Sequence, residues 1–277
     1  MIYISSCCLE KIRDLRKVLE QYWKEGIRNV ELSGCHPHMP DVKEIVDSYK
    51  FNYLVHNYFP PPKEAFVFNL ASNDKSVLKR SLELAKQAVK LCNKMGAPIY
   101  SVHTGYRQDP GLGFKFDVKG PAILYNDAIN IFKKSLKEIA DFAHDHSVKI
   151  GFENQPAKNP HGDVKEFITF IKAEEFNSIV KEIGPEKIGV VLDIAHLENA
   201  ATIMKFDIDS FIEDVRENVI ELHVCDNDEN SVHTHVPLKE SSKSVAVARS
   251  FKNMPITIES VSDIKGILKA KQLLENL

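Results

Sequence analysis

Histidine, aspartate and glutamate residues recur in this sequence at the ends of short apolar runs, and these side chains are common ligands of divalent metal ions. The runs end in VHNY, SVHTG, GFENQ, VVLDIAH, ELHVCDND and TIES. In chain order they supply His56, His103, Glu153, Asp193 with His196, His223 with Asp226, and Glu259. The segment VHTH adds His233 and His235. Burying so many carboxylates and imidazoles together is costly unless a cation pairs them, so we expect a divalent metal site.

Such a site requires a fold that gathers the ends of these runs on one face. Eight β-branched runs, most of them followed by an amphipathic stretch, predict strands at Ile2–Ser5, Asn29–Ser33, Tyr53–Tyr58, Ile99–Thr104, Lys149–Asn154, Ile188–Ile194, Val219–Val224 and Ile256–Glu259. Strands alternating with helices pair in parallel, and eight units favour a closed barrel with its active site at the strand C-termini. An open doubly wound sheet is the alternative, but ISSCCLEK lacks its glycine-rich phosphate turn. We therefore expect one α/β domain, a (β/α)₈ TIM barrel spanning residues 1–277.

Three helices are the most clearly marked between these strands. Apolar residues at helical spacing predict a helix over Asp74–Met95, with Asp74 as its N-cap and Gly96 at its C-terminal end. A second long helix is predicted over Ile123–His146 and a last one over Ile264–Leu274.

The composition favours a soluble protein that acts on a small molecule. Hydrophobic residues make up 43% of the 277 residues and the net charge is −3, which does not favour binding to nucleic-acid phosphates. No apolar run approaches the ~20 residues of a membrane span, and the N-terminus lacks the order of a signal peptide. Five cysteines without CxxC spacing predict reduced thiols in a cytoplasmic protein.

The order of these motifs resembles a known superfamily over nearly the whole chain. From NVELSG through VHNY, SVHTG, GFENQ, LDIAH, ELHVCDN and VHTHVPL to PITIES, the sequence is similar to the xylose isomerase-like barrels. This superfamily includes sugar isomerases and epimerases and the endonuclease IV group of DNA-repair enzymes. The resemblance implies a carbohydrate substrate, a homo-oligomer, and one to three divalent ions of Zn²⁺, Mn²⁺, Co²⁺ or Mg²⁺.

The resemblance also implies which residues bind metal. In the epimerase type, one ion is held by residues matching Glu153, Asp193, His223 and Glu259. In the endonuclease type, these are joined by residues matching His56, His103, His196, His233 and His235. This chain departs from the family where His233 replaces the usual Asp, and where KESSKS replaces a common Gly-Glu-Gly turn.

An isomerase or epimerase moves a proton next to a carbonyl group through an enediolate. Glu153 and Glu259 resemble the two carboxylates that exchange this proton as base and acid, while the metal stabilises the developing negative oxygen. Contacts with the substrate are expected from His103, His196, Asn154 and Asp226.

Two alternatives remain at this point. A metal-dependent hydrolase of abasic DNA would explain the additional histidines, with Tyr106 and Arg107, or Tyr58 and Phe59, as candidates for insertion into a duplex. The net charge argues against it, and we expect basic residues such as Arg13 on helix faces away from the barrel mouth. The other alternative is a barrel that binds metal or sugar without turnover. We favour the sugar isomerase or epimerase.

Overall fold

The fold is a closed parallel barrel, seen in a computed structural model that describes residues 1–109, 121–159, 162–163, 168–228, 235–251 and 253–276. Its strands are β1 (Ile2–Ser5), β2 (Asn29–Leu32), β3 (Asn52–His56), β4 (Ile99–His103), β5 (Lys149–Glu153), β6 (Ile188–Asp193), β7 (Val219–Val224) and β8 (Ile256–Ile258). Each strand pairs in parallel with the next, and β8 pairs with β1. The predicted (β/α)₈ TIM barrel is thereby confirmed. A short antiparallel hairpin, Lys158–Asn159 with Gly162–Asp163, lies outside the barrel.

Helices connect the strands. They are α1 (Leu15–Lys24), α2 (Val42–Asp47), α3 (Lys75–Met95), α4 (Tyr125–His144), α5 (Ala173–Ile183), α6 (Ile194–Met204), α7 (Ile208–Val215), α8 (Lys243–Ser250) and α9 (Ile264–Glu275). A 3₁₀ turn, Arg216–Asn218, leads into β7. The predicted caps of α3 are confirmed, because the Asp74 carboxylate accepts from the first-turn amides and Gly96 has φ +69°. Among the described residues, no helix combines the length and apolar character that crossing a membrane requires.

Most element boundaries lie within one residue of the predictions, and those of β3 and α4 differ by two residues. Strand β3 ends at His56 rather than Tyr58, because Asn57 has φ +44° and leaves the extended region. Helix α4 begins at Tyr125, since Leu124 is extended and the Ile123 amide donates to a loop carbonyl instead. Neither difference moves a predicted site residue off its strand end.

Alternation along the strands separates the barrel interior from its outer layer. In β4, Tyr100 and Val102 pack in the main hydrophobic core, whereas Ile99, Ser101 and His103 take the opposite face. Ile99 belongs to a separate apolar cluster with Tyr3 and Leu54, while His103 lines a cavity at the other end of the strand. The interior is therefore apolar near the strand N-termini and polar at their C-termini.

The cysteine prediction was wrong for one pair. Cys7 and Cys35 form a disulfide, although both were expected to be reduced thiols. Strands β1 and β2 are neighbours with Ser5 opposite Glu31, so the loops that follow them run side by side. Sequence spacing does not reveal this proximity. The free cysteines among the described residues are all buried: Cys8, Cys92 and Cys225.

Candidate metal centre

Strand register brings the predicted metal ligands together at the C-terminal end of the barrel. Asp193 on β6 lies opposite His223 on β7, and His103 on β4 lies opposite Glu153 on β5. Glu259 follows β8 directly, and its amide donates to the Val224 carbonyl of β7. Residues separated by up to 156 positions thus converge because parallel strands end on the same face.

Four of these residues form what we call the carboxylate cluster: Glu153, Asp193, His223 and Glu259. His223 lies at its centre, with Nδ1 3.6 Å from Glu153 Oε1 and 3.6 Å from Glu259 Oε1. Asp193, His223 and Glu259 each offer an atom within 4.8 Å of the others. This spacing suits ligands that surround a single ion.

Some buried polar atoms of this cluster lack a hydrogen-bond partner among the described residues. Glu153 Oε2, Asp193 Oδ2 and His223 Nδ1 make no hydrogen bond to any part of the chain that the structure describes. Buried groups of this kind are normally bonded, and an ion is one of the explanations for an exception. Three carboxylates and one imidazole are also a donor set that divalent metals accept. The residues present therefore fit a divalent cation.

Glu153 also connects the carboxylate cluster to three further histidines. His103 Nε2 lies 3.4 Å and His56 Nδ1 3.6 Å from Glu153 Oε2, and the three residues form a second group with ligand spacing. His196 Nδ1 lies 3.1 Å from Glu153 Oε1, and these two form a third group with Asp193. The geometry thus offers more than one candidate position for metal, and Glu153 belongs to the second and third of these groups.

The last two predicted histidines are placed differently. His235 Nδ1 lies 3.8 Å from Glu259 Oε2, so it borders the carboxylate cluster. His233 lies outside the described residues, and its predicted role as a ligand stays a prediction.

Asn154 and Asp226 are positioned for structural hydrogen bonds. The Asn154 side chain donates to the Asp193 carbonyl and accepts from the Asp193 amide, which fixes the turn from β6 into α6. The Asp226 carboxylate accepts from the Ser242 hydroxyl at 2.6 Å. Their predicted contacts with substrate stay a prediction.

The two glutamates predicted to transfer a proton have opposite electrostatic environments. Burial raises the pKa of Glu259 to about 7, although the nearby His223 opposes the shift. Burial alone would also raise the pKa of Glu153, but His223, His103 and His56 outweigh it, and the pKa falls well below its usual value. Glu153 is therefore a carboxylate at neutral pH, whereas Glu259 can hold or release a proton.

The pKa values of the histidines are also shifted in opposite directions. Burial lowers the pKa of His56 well below its usual value. At His196, Asp193 and a second carboxylate outweigh burial and raise the pKa to about 9. Burial also lowers the pKa of His223, but Glu31 and other carboxylates reverse the shift and raise it well above its usual value. Negative charge from the carboxylates dominates the centre of the site.

A cavity of about 580 Å³ opens above these residues. Histidines and Glu259 line one part of it: His56, His103, His196 and His235. The loops after β1 and β2 line another part, with Cys7, Cys35 and Arg13. The expectation that Arg13 faces away from the mouth was wrong, because this residue precedes α1 and lies in the loop after β1.

Comparison with known proteins places the chain in a family. Residues 21–276 match the model of the xylose isomerase-like TIM barrel family. The chain belongs to this family. The resemblance expected from the motifs is thereby confirmed.

Relatives and solved structures of similar fold agree with this membership. An uncharacterized protein of Methanocaldococcus jannaschii is 25% identical over 84% of this chain and 72% of its own length. A D-tagatose 3-epimerase-like protein superposes with a TM-score of 0.73 at 22% identity, over 99% of this chain and 96% of that one. An L-ribulose 3-epimerase does so with a TM-score of 0.67 at 16% identity, over 98% and 86%. At these identities the structural likeness establishes the fold.

Two glutamates of this xylose isomerase-like barrel were not assigned a role from the sequence. Glu31 Oε2 lies 3.1 Å from His223 Nε2, and Glu221 Oε1 lies 3.5 Å from the same nitrogen. Both side chains are fully buried, and Thr257 donates to Glu221. A signal was present, because Glu221 lies two residues before His223 and shares its face of β7.

Proposed function

We propose that this protein is a divalent-metal-dependent sugar isomerase or epimerase that moves a proton next to a carbonyl group. One observation carries the proposal: the carboxylate cluster is buried at the cavity and keeps three polar atoms without hydrogen-bond partners among the described residues. The fold shared with a D-tagatose 3-epimerase-like protein and an L-ribulose 3-epimerase supports the same class of chemistry.

Glu153, Asp193, His223 and Glu259 would hold the ion. When bound, a divalent metal supplies positive charge that stabilises the negative oxygen developing as a proton leaves the neighbouring carbon. The chain itself fixes the ligands, because each is carried by a strand end or follows one directly.

Glu153 and Glu259 would exchange the proton with the substrate. The two carboxylates approach His223 Nδ1 at the same distance, so both border the position where an ion and a substrate would meet. Their pKa values are shifted in opposite directions, which is the arrangement expected of a base and an acid. Glu153 would accept the proton, and Glu259 would supply it on the opposite side.

His103 and His196 would orient the substrate. Both line the cavity and both approach Glu153, so a substrate that meets Glu153 also lies within reach of these imidazoles. Hydroxyl groups of a sugar can donate to or accept from imidazole nitrogen. The cavity volume of about 580 Å³ suits a small carbohydrate.

The test is exchange of a carbon-bound proton. The full chain, stripped with chelator and reloaded with Mn²⁺, Co²⁺, Zn²⁺ or Mg²⁺, is incubated in D₂O with a panel of ketoses and aldoses, free and phosphorylated. We expect deuterium at the carbon next to the carbonyl and formation of an epimer or isomer, only after metal is added. Absence of exchange from every sugar with every metal would overturn the proposal.

The abasic-DNA hydrolase is a second candidate, favoured by the additional group of His56, His103 and Glu153. One of its predicted insertion residues argues against it. Phe59 is fully buried and is not presented to a duplex, whereas Tyr106 is partly exposed in the cavity lining. Nicking of an abasic duplex by the same metal-loaded samples, with no exchange into sugars, would reverse the preference.

A further inference from the structure

Two cysteines and a histidine lie together beside the cavity, away from the strands that carry the carboxylate cluster. Cys7 is in the loop after β1, and Cys35 and His36 are in the loop after β2. Cys7 and Cys35 are disulfide-bonded, partly exposed, and line the cavity. We call these three residues the cysteine cluster. The proposed sugar reaction does not use these three residues.

The hydrogen bonds of His36 determine which nitrogen can bind a ligand. Nδ1 lies 2.9 Å from the Arg13 carbonyl, which can only accept, so Nδ1 carries the proton. Nε2 therefore carries the lone pair and lies 3.6 Å from Cys35 Sγ and 2.9 Å from the Ser6 hydroxyl. A histidine that donates one N–H to a backbone carbonyl is held in the form that binds metal through its other nitrogen.

We propose that Cys7, Cys35 and His36 form a second metal site when the disulfide is reduced, one that binds a thiophilic ion such as Zn²⁺. All three residues offer a ligand atom within 4.8 Å of the others. In a tetrahedral zinc site, bonds of about 2.3 Å to sulfur and about 2.0–2.1 Å to nitrogen set those two ligands about 3.6 Å apart. The observed separation of Cys35 Sγ and His36 Nε2 is 3.6 Å.

This site would form in two steps, reduction of the disulfide and then binding of the ion. A small dithiol reductant transfers two electrons and two protons to the Cys7–Cys35 bond, which gives two thiols and leaves the reductant as its own cyclic disulfide. Zn²⁺ then displaces both thiol protons, so its binding releases two protons to solvent. Both cysteines line the cavity, which gives the reductant and the ion a path to the sulfur atoms.

The two clusters would select different metals. Thiolates favour Zn²⁺ and other soft ions, whereas carboxylate-rich sites also accept Mn²⁺ and Mg²⁺. The protein would thus hold one ion through oxygen and nitrogen, and a second ion through sulfur only in its reduced form. The second site does not depend on the proposed sugar chemistry.

The test is titration of the full chain with Cd²⁺, because cadmium bound to thiolate has a charge-transfer absorption that carboxylate ligands do not produce. Protein reduced with dithiothreitol and exchanged anaerobically into buffer should gain two accessible thiols and show one equivalent of Cd²⁺–thiolate absorption, which Zn²⁺ displaces. Air-oxidised protein should show none. Cys7→Ser and Cys35→Ser should each lose the saturable band, and His36→Asn should weaken it.

Two control variants test whether the Cd²⁺–thiolate absorption comes from the cysteine cluster and not from another thiol or from the carboxylate cluster. Cys92→Ser removes a buried thiol that donates to the Ile99 carbonyl, and it should keep the full band. Glu153→Gln should also keep it, even if that variant abolishes sugar turnover. Circular dichroism confirms that each variant is folded. The proposal is overturned if reduction releases no thiols, if reduced wild-type protein shows no band, or if the Cys7→Ser/Cys35→Ser double variant retains it.

Discussion

The carboxylate cluster and the cysteine cluster border one cavity, but they differ in position and in how their reactive atoms are bonded. The carboxylate cluster sits on or next to strand ends, at most 9% exposed, and keeps polar atoms without hydrogen bonds among the described residues. The cysteine cluster sits on loops, and its two sulfur atoms satisfy each other through a covalent bond. Under the proposed function, the carboxylate cluster needs a bound cation to pair its charges, whereas the disulfide of the cysteine cluster needs no ligand.

This difference shows what each part of the barrel contributes. Strand ends are fixed by the closed sheet, so they can hold mutually repelling carboxylates close together, where the proposed cation would neutralise them. Loops have more freedom, and a reversible bond there changes the cavity wall without disturbing the barrel. Activity should therefore be more sensitive to changes in the carboxylate cluster than to changes on the loop side of the cavity.

The largest effect is expected from Glu153, which lies within 3.6 Å of four histidines of the centre. Glu153→Gln keeps the size of the side chain but removes the base and one negative charge. Sugar proton exchange should fall by about 10²–10⁴-fold, the usual contribution of a general base. Rates measured in D₂O, at saturating metal, give the size of the effect.

Glu44→Gln on the exposed face of α2 is the control for loss of a carboxylate, and it should leave the rate unchanged. Glu259→Gln should resemble Glu153→Gln. Wild-type exchange rates in both Glu153→Gln and Glu259→Gln would contradict the assignment of base and acid.

A smaller effect is expected from Glu31, which contacts Nε2 of His223 rather than the Nδ1 that Glu153 and Glu259 approach. The His223 Nε2–H donates to Glu31 at 3.1 Å, which leaves Nδ1 to face the carboxylate cluster. Glu31→Gln should therefore weaken metal binding by about 10- to 100-fold, as loss of such supporting contacts does elsewhere. Isothermal titration with Mn²⁺ measures it, and excess metal should restore most of kcat with little change in KM.

Matched variants test whether Glu31 acts by positioning His223. Glu31→Asp should recover part of the affinity, because it retains an acceptor. Glu221→Gln should have a weaker effect, since Glu221 is 3.5 Å from the same nitrogen and is also held by Thr257. Equal metal affinity of wild type and Glu31→Gln would show that Glu31 does not position this ligand.

These residues show how far sequence reasoning reached. Residue types at strand ends located the carboxylate cluster, because a parallel barrel places all such ends on one face. The contact of Glu31 with His223 spans 192 positions and depends on which imidazole nitrogen points inward, which no local pattern encodes. The Cys7–Cys35 bond was missed for a related reason, since loop paths rather than spacing bring the sulfur atoms together.

Metal affinity should depend on pH. Glu259, with a pKa raised to about 7, must lose its proton before it can bind metal. His196, with a pKa raised to about 9, carries a positive charge 3.1 Å from Glu153 that opposes a nearby cation until its proton is lost. Affinity for Mn²⁺ should therefore rise between pH 7 and pH 9, by up to about tenfold per pH unit for each proton displaced.

The stability of the metal-free protein should change in the opposite direction. Both folded-state pKa values lie above the unfolded values of 4.5 and 6.5, so these groups stabilise the fold at low pH, and this contribution is lost as pH rises through about 7 and about 9. The increase in Tm on adding metal should consequently be larger at pH 9 than at pH 7. A constant increase in Tm across this range would show that neither group is linked to metal binding.

The smallest effect is expected from Arg13 on the loop side of the cavity. Arg13 is exposed, and among the described residues no other lysine or arginine lines the cavity. An exposed charge pair contributes at most about 1 kcal/mol, so Arg13→Gln should raise KM for phosphorylated sugars by about fivefold or less. It should leave KM for neutral sugars unchanged, because they carry no charge for the guanidinium to attract. Initial rates for matched free and phosphorylated ketoses decide this, and equal changes in KM for both would mean that Arg13 shapes the cavity rather than binding an anion.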